Sequence, residues 1–367
     1  MAKLKTYTSI RTGKLNANAS SENGNYPFFT CSKEILTIDT YSYDCECVLV
    51  AGNGDLNVKY YKGKFDAYQR TYILESTDKN KLNVMYLYYF LCNYVDKLRQ
   101  QSIGGVIKYI KLGNLEEANI PLLSINEQIK IVNILSKLDY LIKLQNKALF
   151  NLNQLVLSRF TELFGDICKN NKQWNIINLG DLFKVSSSKR IYQNEHMKKG
   201  VPFFRIADLM KKISTGSCST EIFISDNKYN ELKNSGYVPK SGDILLTSRG
   251  TLGECYVITK DDKFYFQDGM ISWLSPIDKN ININYIVHLF CMPEFKKQFS
   301  NHTSGSTVDY LSIENIRRLR IPLPNNNLQN KFDKDVHKID KSKIADLITF
   351  LLRLNLKLLR LIFKLLG

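Results

Sequence analysis

The chain contains an internal repeat, and this repeat limits its possible folds more than any other feature of the sequence. The segment Leu4–Lys14 is echoed by Leu179–Lys189, 175 positions later. The same shift relates Pro27-Phe-Phe to Pro202-Phe-Phe. Matches that keep one order and one spacing are the signature of a duplicated structural unit.

Further along, the shift between the copies becomes 201 positions. Ser102–Tyr109 is echoed by Thr303–Tyr310, and Ile120-Pro-Leu by Ile321-Pro-Leu. The second copy is therefore longer by about 26 residues, mostly between positions 205 and 243. We expect two related globular domains, the second with an insertion.

A long helical pattern follows each Ile-Pro-Leu. Ser124 and Glu127 form a predicted capping box at the start of the first helix. Apolar residues then recur at alternating four- and three-residue steps, at Ile131, Leu135, Leu138, Ile142, Leu149, Leu152, Val156 and Leu163. A second apolar stripe beside the first indicates more than one neighbouring helix. The second long helix is predicted from its Leu347, Leu351, Leu354, Leu358 and Leu361.

Each globular copy has a mixed α/β pattern. Short strands are predicted at 48–51, 244–247 and 254–259, and helices at 83–98 and 284–299. The predicted fold class is α+β, with two α/β domains separated by two long antiparallel coiled-coil helices in a pseudo-two-fold repeat. The predicted boundaries are 1–123 for the first domain, 124–164 for the first helix, 165–324 for the second domain and 325–367 for the second helix.

The composition favours a polyanionic partner. The formal net charge is +16, and the basic residues are spread along the chain. This distribution favours a long, shallow contact with nucleic acid over a compact anion pocket. A basic surface kept for solubility is the alternative. Without a secretory signal or a run of about 18 apolar residues, the expected location is cytoplasmic, with no membrane association.

Several segments resemble the specificity subunit of type I restriction–modification systems across essentially the whole chain. The resemblance is carried by Ile120–Val132, Leu157–Asp166, Leu179–Phe183 and Gly242–Gly250, the last with Gly253. The most specific of these is the Pro-Leu…Glu-Gln entry to a long helix, repeated after two globular domains. In the second copy, Leu328-Gln329 stands in place of Glu127-Gln128.

The resemblance implies that each globular copy is a target-recognition domain that reads one half of a split site in double-stranded DNA. It also implies that the long helices set the gap between the halves and dock two S-adenosylmethionine-dependent methyltransferase subunits. Restriction (motor-nuclease) subunits would join them. Because the two copies differ in length and loop sequence, the expected target is asymmetric.

Three other functions stay open at this point. One is a self-sufficient nucleic-acid enzyme, and another is a coiled-coil scaffold without DNA specificity. The third is a basic amphipathic helix on an anionic membrane surface, using Arg353, Lys357, Arg360 and Lys364.

Residues for catalysis are not found in the sequence. The chain has no Asn/Asp-Pro-Pro-aromatic motif for amino-methylation, and no Walker lysine follows a suitable glycine run. The D-x-K forms at 226–228 and 261–263 lack a convincing acidic partner, and the four histidines are dispersed. No C-x-x-C motif accompanies Cys45 and Cys47. We therefore expect no catalytic residues, no cofactor and no metal site.

Candidate DNA-binding residues are those with base-reading side chains in predicted loops. Arg and Lys can bridge guanine O6 and N7, and Asn or Gln can pair with adenine. In the first domain they are Arg11, Lys14, Asn53, Lys59 and Arg70. In the second they are Lys189, Arg190, Arg205, Ser248, Arg249, Thr251 and Gln267, and phosphate contacts are expected from Thr303, Ser304 and Ser306.

Overall fold

The structure is a computed structural model that describes residues 1–277, 281–301, 310–341 and 343. These residues fall into two compact units. The first unit is Met1–Asn146, and the second comprises the described residues from Lys147 onwards. Among the described residues, no helix combines the length and the apolar character needed to cross a bilayer.

The first unit is built around one mixed sheet. Its strands are β1 (Ala2–Lys3), β2 (Thr8–Thr12), β3 (Tyr26–Phe29), β4 (Leu36–Ile38), β5 (Tyr43–Ala51), β6 (Val58–Ala67), β7 (Thr71–Ser76) and β8 (Asn119–Ile120). Its helices are α1 (Val84–Gln101), α2 (Leu112–Glu116) and the part of α3 (Ile125–Phe164) that ends at Asn146. The six-stranded sheet has the order β2-β7-β5-β6-β3-β4. All its pairs are antiparallel except β3 with β6.

Alternation along β5 places apolar side chains on both faces of this sheet, because successive residues of a strand point to opposite sides. Val48 and Val50 belong to one core cluster with Leu87 and Leu91 of α1. Leu49 belongs to another cluster on the opposite face. The main core of the first unit therefore lies between the sheet and α1.

The second unit begins with the rest of α3. Its strands are β9 (Asn175–Asn178), β10 (Phe183–Ser187), β11 (Val201–Phe204), β12 (Phe223–Ile224), β13 (Ile244–Thr247), β14 (Cys255–Val257), β15 (Tyr265–Phe266), β16 (Ile271–Pro276) and β17 (Arg320–Leu323). Its further helices are α4 (Leu179–Leu182), α5 (Ile206–Thr215), α6 (Asp226–Asn234), α7 (Ile283–Cys291), α8 (Pro293–Asn301), α9 (Ile313–Arg317) and α10, described at 326–341 and 343.

The two units repeat one topology, which confirms the duplication predicted from the sequence. The order β2-β7-β5-β6 in the first unit corresponds to β10-β16-β13-β14 in the second. The parallel pair of β3 with β6 corresponds to that of β11 with β15. The long β6 is replaced by two short strands, β14 and β15, and the additional residues of the second copy contain α5 and α6.

The first long helix begins as its sequence predicts. The Ser124 backbone N–H donates to Glu127 Oε2 (3.1 Å), and the Glu127 N–H donates to Ser124 Oγ (3.4 Å). The helix α3 then continues for 40 residues, or about 60 Å. The single helix predicted over 284–299 is wrong, because α7 ends at Cys291 and α8 begins at Pro293. Proline has no N–H to donate and restricts the residue before it, so the helix is interrupted there.

A buried glutamine joins each long helix to its globular unit. Gln128 is 0% exposed; its Oε1 accepts from the Asn83 N–H (2.9 Å), and its Nε2 donates to the carbonyl oxygens of Lys81 (2.7 Å) and Leu123 (2.8 Å). Because Asn83 is the N-cap of α1, the glutamine holds the start of that helix against the start of α3.

The second unit repeats this junction. Gln329 is 0% exposed; its Oε1 accepts from the Asn282 N–H (3.1 Å), and its Nε2 donates to the Pro324 oxygen (2.7 Å). Asn282 is the N-cap of α7. The glutamine shared by Glu127-Gln128 and Leu328-Gln329 thus has the same hydrogen-bonding role in both copies.

Within the second unit, α3 and α10 contact each other. Phe160 and Phe164 of α3 pack on Phe332, with ring centroids 5.4 Å apart in both pairs. Arg159 Nε donates to Asp335 Oδ2 at 2.8 Å. Arg159, a polar interruption in the apolar repeat, therefore has a specific partner on the other long helix.

Replacing Gln128 with Leu is expected to destabilise the chain strongly. The change would leave the Asn83 N–H and two carbonyl oxygens buried without partners, at about 1–3 kcal/mol for each unsatisfied group. We expect a loss of at least about 2 kcal/mol in the free energy of unfolding, measured by chemical denaturation. Gln154→Leu, at an exposed position of α3, is the matched control. Equal losses in the two variants would contradict the proposed role of the junction.

Candidate nucleic-acid interface

In the first unit, loops at one end of the sheet surround a cavity of about 290 Å³. Arg70, one of the sequence-predicted residues, lines it and is exposed. The remaining lining residues are Thr12, Gly52, Gln69, Tyr72 and Ile110. The backbone fixes this arrangement, because the Gly52 N–H donates to the Arg70 oxygen (2.8 Å) and the Ile110 N–H to the Gly52 oxygen (2.9 Å).

Two other predicted residues, Lys14 and Asn53, lie in the loops that form this cavity. Asn53 directly follows Gly52, and its backbone pairs with Tyr109. Lys14 is exposed in the loop after β2, where its N–H donates to the Ala67 oxygen (3.2 Å). The structure therefore brings Lys14, Asn53 and Arg70 to one cluster of loops.

Arg11 and Lys59 lie on strands and are engaged by partners within the protein. The Arg11 Nη2 contacts Glu75 Oε1 at 2.5 Å, and the guanidinium lies 4.8 Å from the ring centroid of Tyr43. Lys59 Nζ donates to the Ser32 oxygen (2.6 Å). Burial lowers the pKa of the Lys59 amine. A DNA contact at either residue would require exchange of these bonds.

The second unit has a larger cavity, of about 660 Å³. Four sequence-predicted residues line it: Arg190, Arg205, Arg249 and Gln267. Its other lining residues are Ile191, Gln193, His196, Phe203, Ile222, Asp268, Gly269 and Met270. Residues separated by up to 80 positions in the sequence thus converge on one concave surface.

The three arginines of this cavity differ in how they are held. Arg190 Nε donates to Asp268 Oδ2 at 2.9 Å. Arg205 is the N-cap of α5, and its N–H donates to Asp208 Oδ2 at 2.9 Å. Arg249 is exposed, and its guanidinium has no carboxylate partner in the part of the chain that the structure describes. Guanidinium groups grouped in this way attract phosphate and can bridge guanine edges.

The remaining predicted residues of the second unit have different environments. Lys189 is exposed, and its Nζ lies 4.2 Å from the ring centroid of Tyr237. Thr251 is exposed in the loop after β13. Ser248 is 2% exposed, and its hydroxyl is 2.7 Å from Ser272 Oγ. In this arrangement, the Ser248 hydroxyl does not reach the surface.

Thr303, Ser304 and Ser306 lie outside the described residues. Sequence reasoning also missed three polar lining residues of the larger cavity, Gln193, His196 and Asp268. Asp268 holds Arg190, and His196 has a buried Nε2 without a hydrogen-bond partner among the described residues. The signal for Asp268 was its position directly after Gln267, whereas nothing in the sequence around His196 indicated a cavity.

Among the described residues, no group of three or more His, Cys, Asp or Glu side chains is placed to hold a metal ion. The loop clusters offer amide and guanidinium donors on concave, solvent-accessible surfaces. Such groups suit the binding of a polyanion and contact with base edges. Two copies of one fold, each with such a cluster of loops, define a duplicated nucleic-acid-recognition protein.

Comparisons with known proteins agree with this class. The sequence profile described as the Type I restriction modification DNA specificity domain matches residues 6–154 and, again, residues 171–349. The chain is 27% identical over 340 residues to the type I restriction enzyme EcoDI specificity subunit of Escherichia coli, covering 86% of this chain and 75% of that protein. It is also 27% identical over 296 residues to the MjaVIII specificity subunit of Methanocaldococcus jannaschii, covering 73% and 67% of the two chains.

A solved structure shares the fold. The crystal structure of the S subunit of a type I restriction–modification system from M. genitalium has a TM-score of 0.57 and 18% sequence identity. The match covers 96% of this chain and 92% of that one.

The chain belongs to the type I restriction–modification DNA specificity family, since the profile matches both copies and most of the sequence. Its function is that of the DNA specificity subunit, the non-catalytic component of a type I complex. The resemblance noted from the sequence motifs is confirmed.

The burial of Ser248 leads to a test that separates folding from recognition. Ser248→Ala would leave the Ser272 hydroxyl without this partner, so we expect a loss of about 1–2 kcal/mol in the free energy of unfolding. The sequence methylated by the assembled complex should not change. Thr251→Ala, at an exposed position, should alter stability by less than about 0.5 kcal/mol. An altered methylation motif in Ser248→Ala would show that this hydroxyl does take part in recognition.

Proposed function

We propose that this chain recognises an asymmetric bipartite site in double-stranded DNA, with one unit reading each half. The proposal keeps the boundaries predicted from the sequence: recognition domains at 1–123 and 165–324, and spacer helices at 124–164 and 325–367. The observation that carries it is the shared fold of the two units combined with different loop residues around the two cavities.

The loop residues proposed to contact DNA are those that the fold leaves available. In the first unit they are Lys14, Asn53 and Arg70, with Arg11 and Lys59 available only after their present bonds are exchanged. In the second they are Lys189, Arg190, Arg205, Arg249, Thr251 and Gln267. Thr303, Ser304 and Ser306 are kept as proposed phosphate contacts, and Ser248 supports the loop from inside.

The long helices are proposed to run antiparallel with approximate two-fold symmetry and to set the gap between the half-sites. The Arg159–Asp335 ion pair and the contacts of Phe160 and Phe164 with Phe332 support direct pairing of α3 with α10. A helix of about 60 Å corresponds to roughly 18 base pairs of B-DNA.

Methyltransferase docking is proposed for the exposed apolar positions of α3. Apolar side chains that stay in contact with water on one helix favour a protein partner. They include Ile134 (39% exposed), Tyr140 (62%), Leu141 (43%), Phe150 (60%) and Leu155 (51%). Two methyltransferase subunits, one for each half of the pseudo-symmetric chain, and then restriction subunits would complete the assembly. Cytoplasmic DNA is the proposed substrate of that complex.

Methylome sequencing tests the proposal as a whole. Cells that carry the gene with its methyltransferase subunits should show one bipartite, asymmetric motif that disappears when only this gene is deleted. Methylation that persists without the gene would refute the proposal, as would a single continuous motif.

The length of the helix should determine the gap between the half-sites. One heptad inserted after the exposed Lys143 adds about 10 Å, so the gap should grow by about three base pairs while the half-site sequences stay the same. A companion variant with a matched heptad after Leu354 keeps the two proposed partner helices equal in length. Seven Gly/Ser residues inserted after Gly216, in an exposed loop, are the control and should leave the gap unchanged. A constant gap in the helix variants would reject this role of the helices.

Exchange of one domain should change one half-site. Replacing residues 171–324 with the second domain of another family member should give that protein's second half-site while leaving the first half and the gap as they were. The measurement is again the methylome. Changes in both halves would contradict independent reading by the two units.

A further inference from the structure

Asn53 and Arg249 occupy the same place in the two copies of the fold. Asn53 pairs through its backbone with Tyr109, and Arg249 pairs with Tyr310, which is the counterpart of Tyr109 in the sequence repeat. Both pairs are antiparallel bridges outside the regular strands. The correspondence therefore extends from the sheets to single residues in the loops.

The hydrogen bonds around the two positions also match. In the first unit, the Gly52 N–H donates to the Arg70 oxygen (2.8 Å) and the Gly52 oxygen accepts from the Ile110 N–H (2.9 Å).

In the second unit, the Ser248 N–H donates to the Met270 oxygen (2.9 Å), and the Ser248 oxygen accepts from the Leu311 N–H (2.9 Å). The residue that follows each position is a glycine in the left-handed region, Gly54 with φ 70° and Gly250 with φ 72°. This turn needs glycine, because a side chain is strained at such φ. The two loops therefore have one backbone design.

The two side chains at this shared position are free to act. Within the residues that the structure describes, neither the Asn53 amide nor the Arg249 guanidinium has a hydrogen-bond or ion-pair partner. Arg249 is exposed and lines the larger cavity, and Asn53 directly follows Gly52, which lines the smaller one. A rigid backbone with an unengaged polar side chain is what a base-reading residue needs, because its geometry is fixed before DNA binds.

We infer that Asn53 and Arg249 are equivalent base-reading residues, with Asn53 selecting an adenine in the first half-site and Arg249 a guanine in the second. The inference rests on the proposed function and adds the identity of one base to each half-site. Its chemical basis is the pairing of the Asn amide with adenine N6 and N7, and of the guanidinium with guanine O6 and N7.

The neighbours of Arg249 favour base reading over simple attraction to phosphate. Asp268 engages Arg190, and Asp208 lies beside Arg205, so both of these guanidiniums have a nearby carboxylate. Arg249 lines the same cavity without such a restraint. Gln267, whose amide can also pair with a base, lines that cavity too. A phosphate contact would need only a positive charge near the DNA. The hydrogen bonds that fix the backbone at Arg249 also fix the direction in which its side chain leaves the loop, and contact with a base edge requires such a direction.

The test exchanges the two side chains. Arg249→Asn and Asn53→Arg are each assembled with the methyltransferase subunits. Binding is then measured on the wild-type site and on all its single-base variants. In Arg249→Asn, the preference for guanine at one position of the second half-site should fall by roughly 5- to 150-fold. The base preferences in the first half-site should not change. Asn53→Arg should lose the preference for adenine at one position of the first half-site and gain one for guanine.

Two further variants serve as controls. Arg249→Lys keeps a group that can contact guanine, so it should retain the base preference with weaker binding. Arg320→Asn removes an exposed arginine of the same unit from β17 and should leave every base preference unchanged. If Asn53→Arg does not assemble, Asn53→Ala should still show the loss of adenine preference.

The outcomes separate this inference from the proposed function. The alternative result is that Arg249→Asn loses affinity equally for all the single-base variants, while the slope of log affinity against log salt concentration falls by about one. That result would identify a phosphate contact and overturn the inference. An unchanged motif would also overturn it while leaving the proposed function intact. If the wild-type complex had no bipartite motif, the proposed function itself would fail.

Discussion

The structure depends on one buried side chain in each unit, the glutamine at the start of the long helix. Gln128 and Gln329 are fully buried and make their hydrogen bonds to the backbone of the adjoining globular unit. A buried amide whose donors and acceptors are all satisfied fixes the relative orientation of the segments it joins, because hydrogen bonds are directional and apolar packing is not. The orientation of each recognition domain relative to the start of its own helix is therefore determined at this junction.

In each unit, backbone hydrogen bonds hold the loops in place, whereas the loop side chains are the groups proposed to give specificity. The hydrogen bonds that hold the loops run between backbone groups, as in the bonds of Gly52 with Arg70 and of Ser248 with Met270. The side chains of the residues that follow, Asn53 and Arg249, take no part in these bonds and can therefore differ without loss of them. The same backbone design holds Asn in one copy and Arg in the other, so a duplicated fold can present two different recognition surfaces.

The features that could be predicted from the sequence are those determined by nearby residues. The capping box at Ser124, the strand at 244–247 and the repeat marked by Pro27 and Pro202 all depend on local patterns. The break before Pro293 was missed because the apolar period continues across it. The burial of Ser248 and the pairing of Arg190 with Asp268 depend on contacts between distant segments, which no local pattern specifies.

The insertion in the second unit shows how a larger concave surface is built without loosening the fold. Leu209 of α5 packs in a core cluster with Phe204 and Trp273, and Leu232 of α6 packs in another with Val201. The inserted helices are thus anchored by buried apolar side chains rather than appended as free loops. Because Arg205 precedes the first turn of α5, that anchoring also fixes the backbone of one of the arginines at the larger cavity. A longer domain can in this way hold more of the side chains that we propose to contact DNA on a rigid backbone, with little entropy lost when DNA binds.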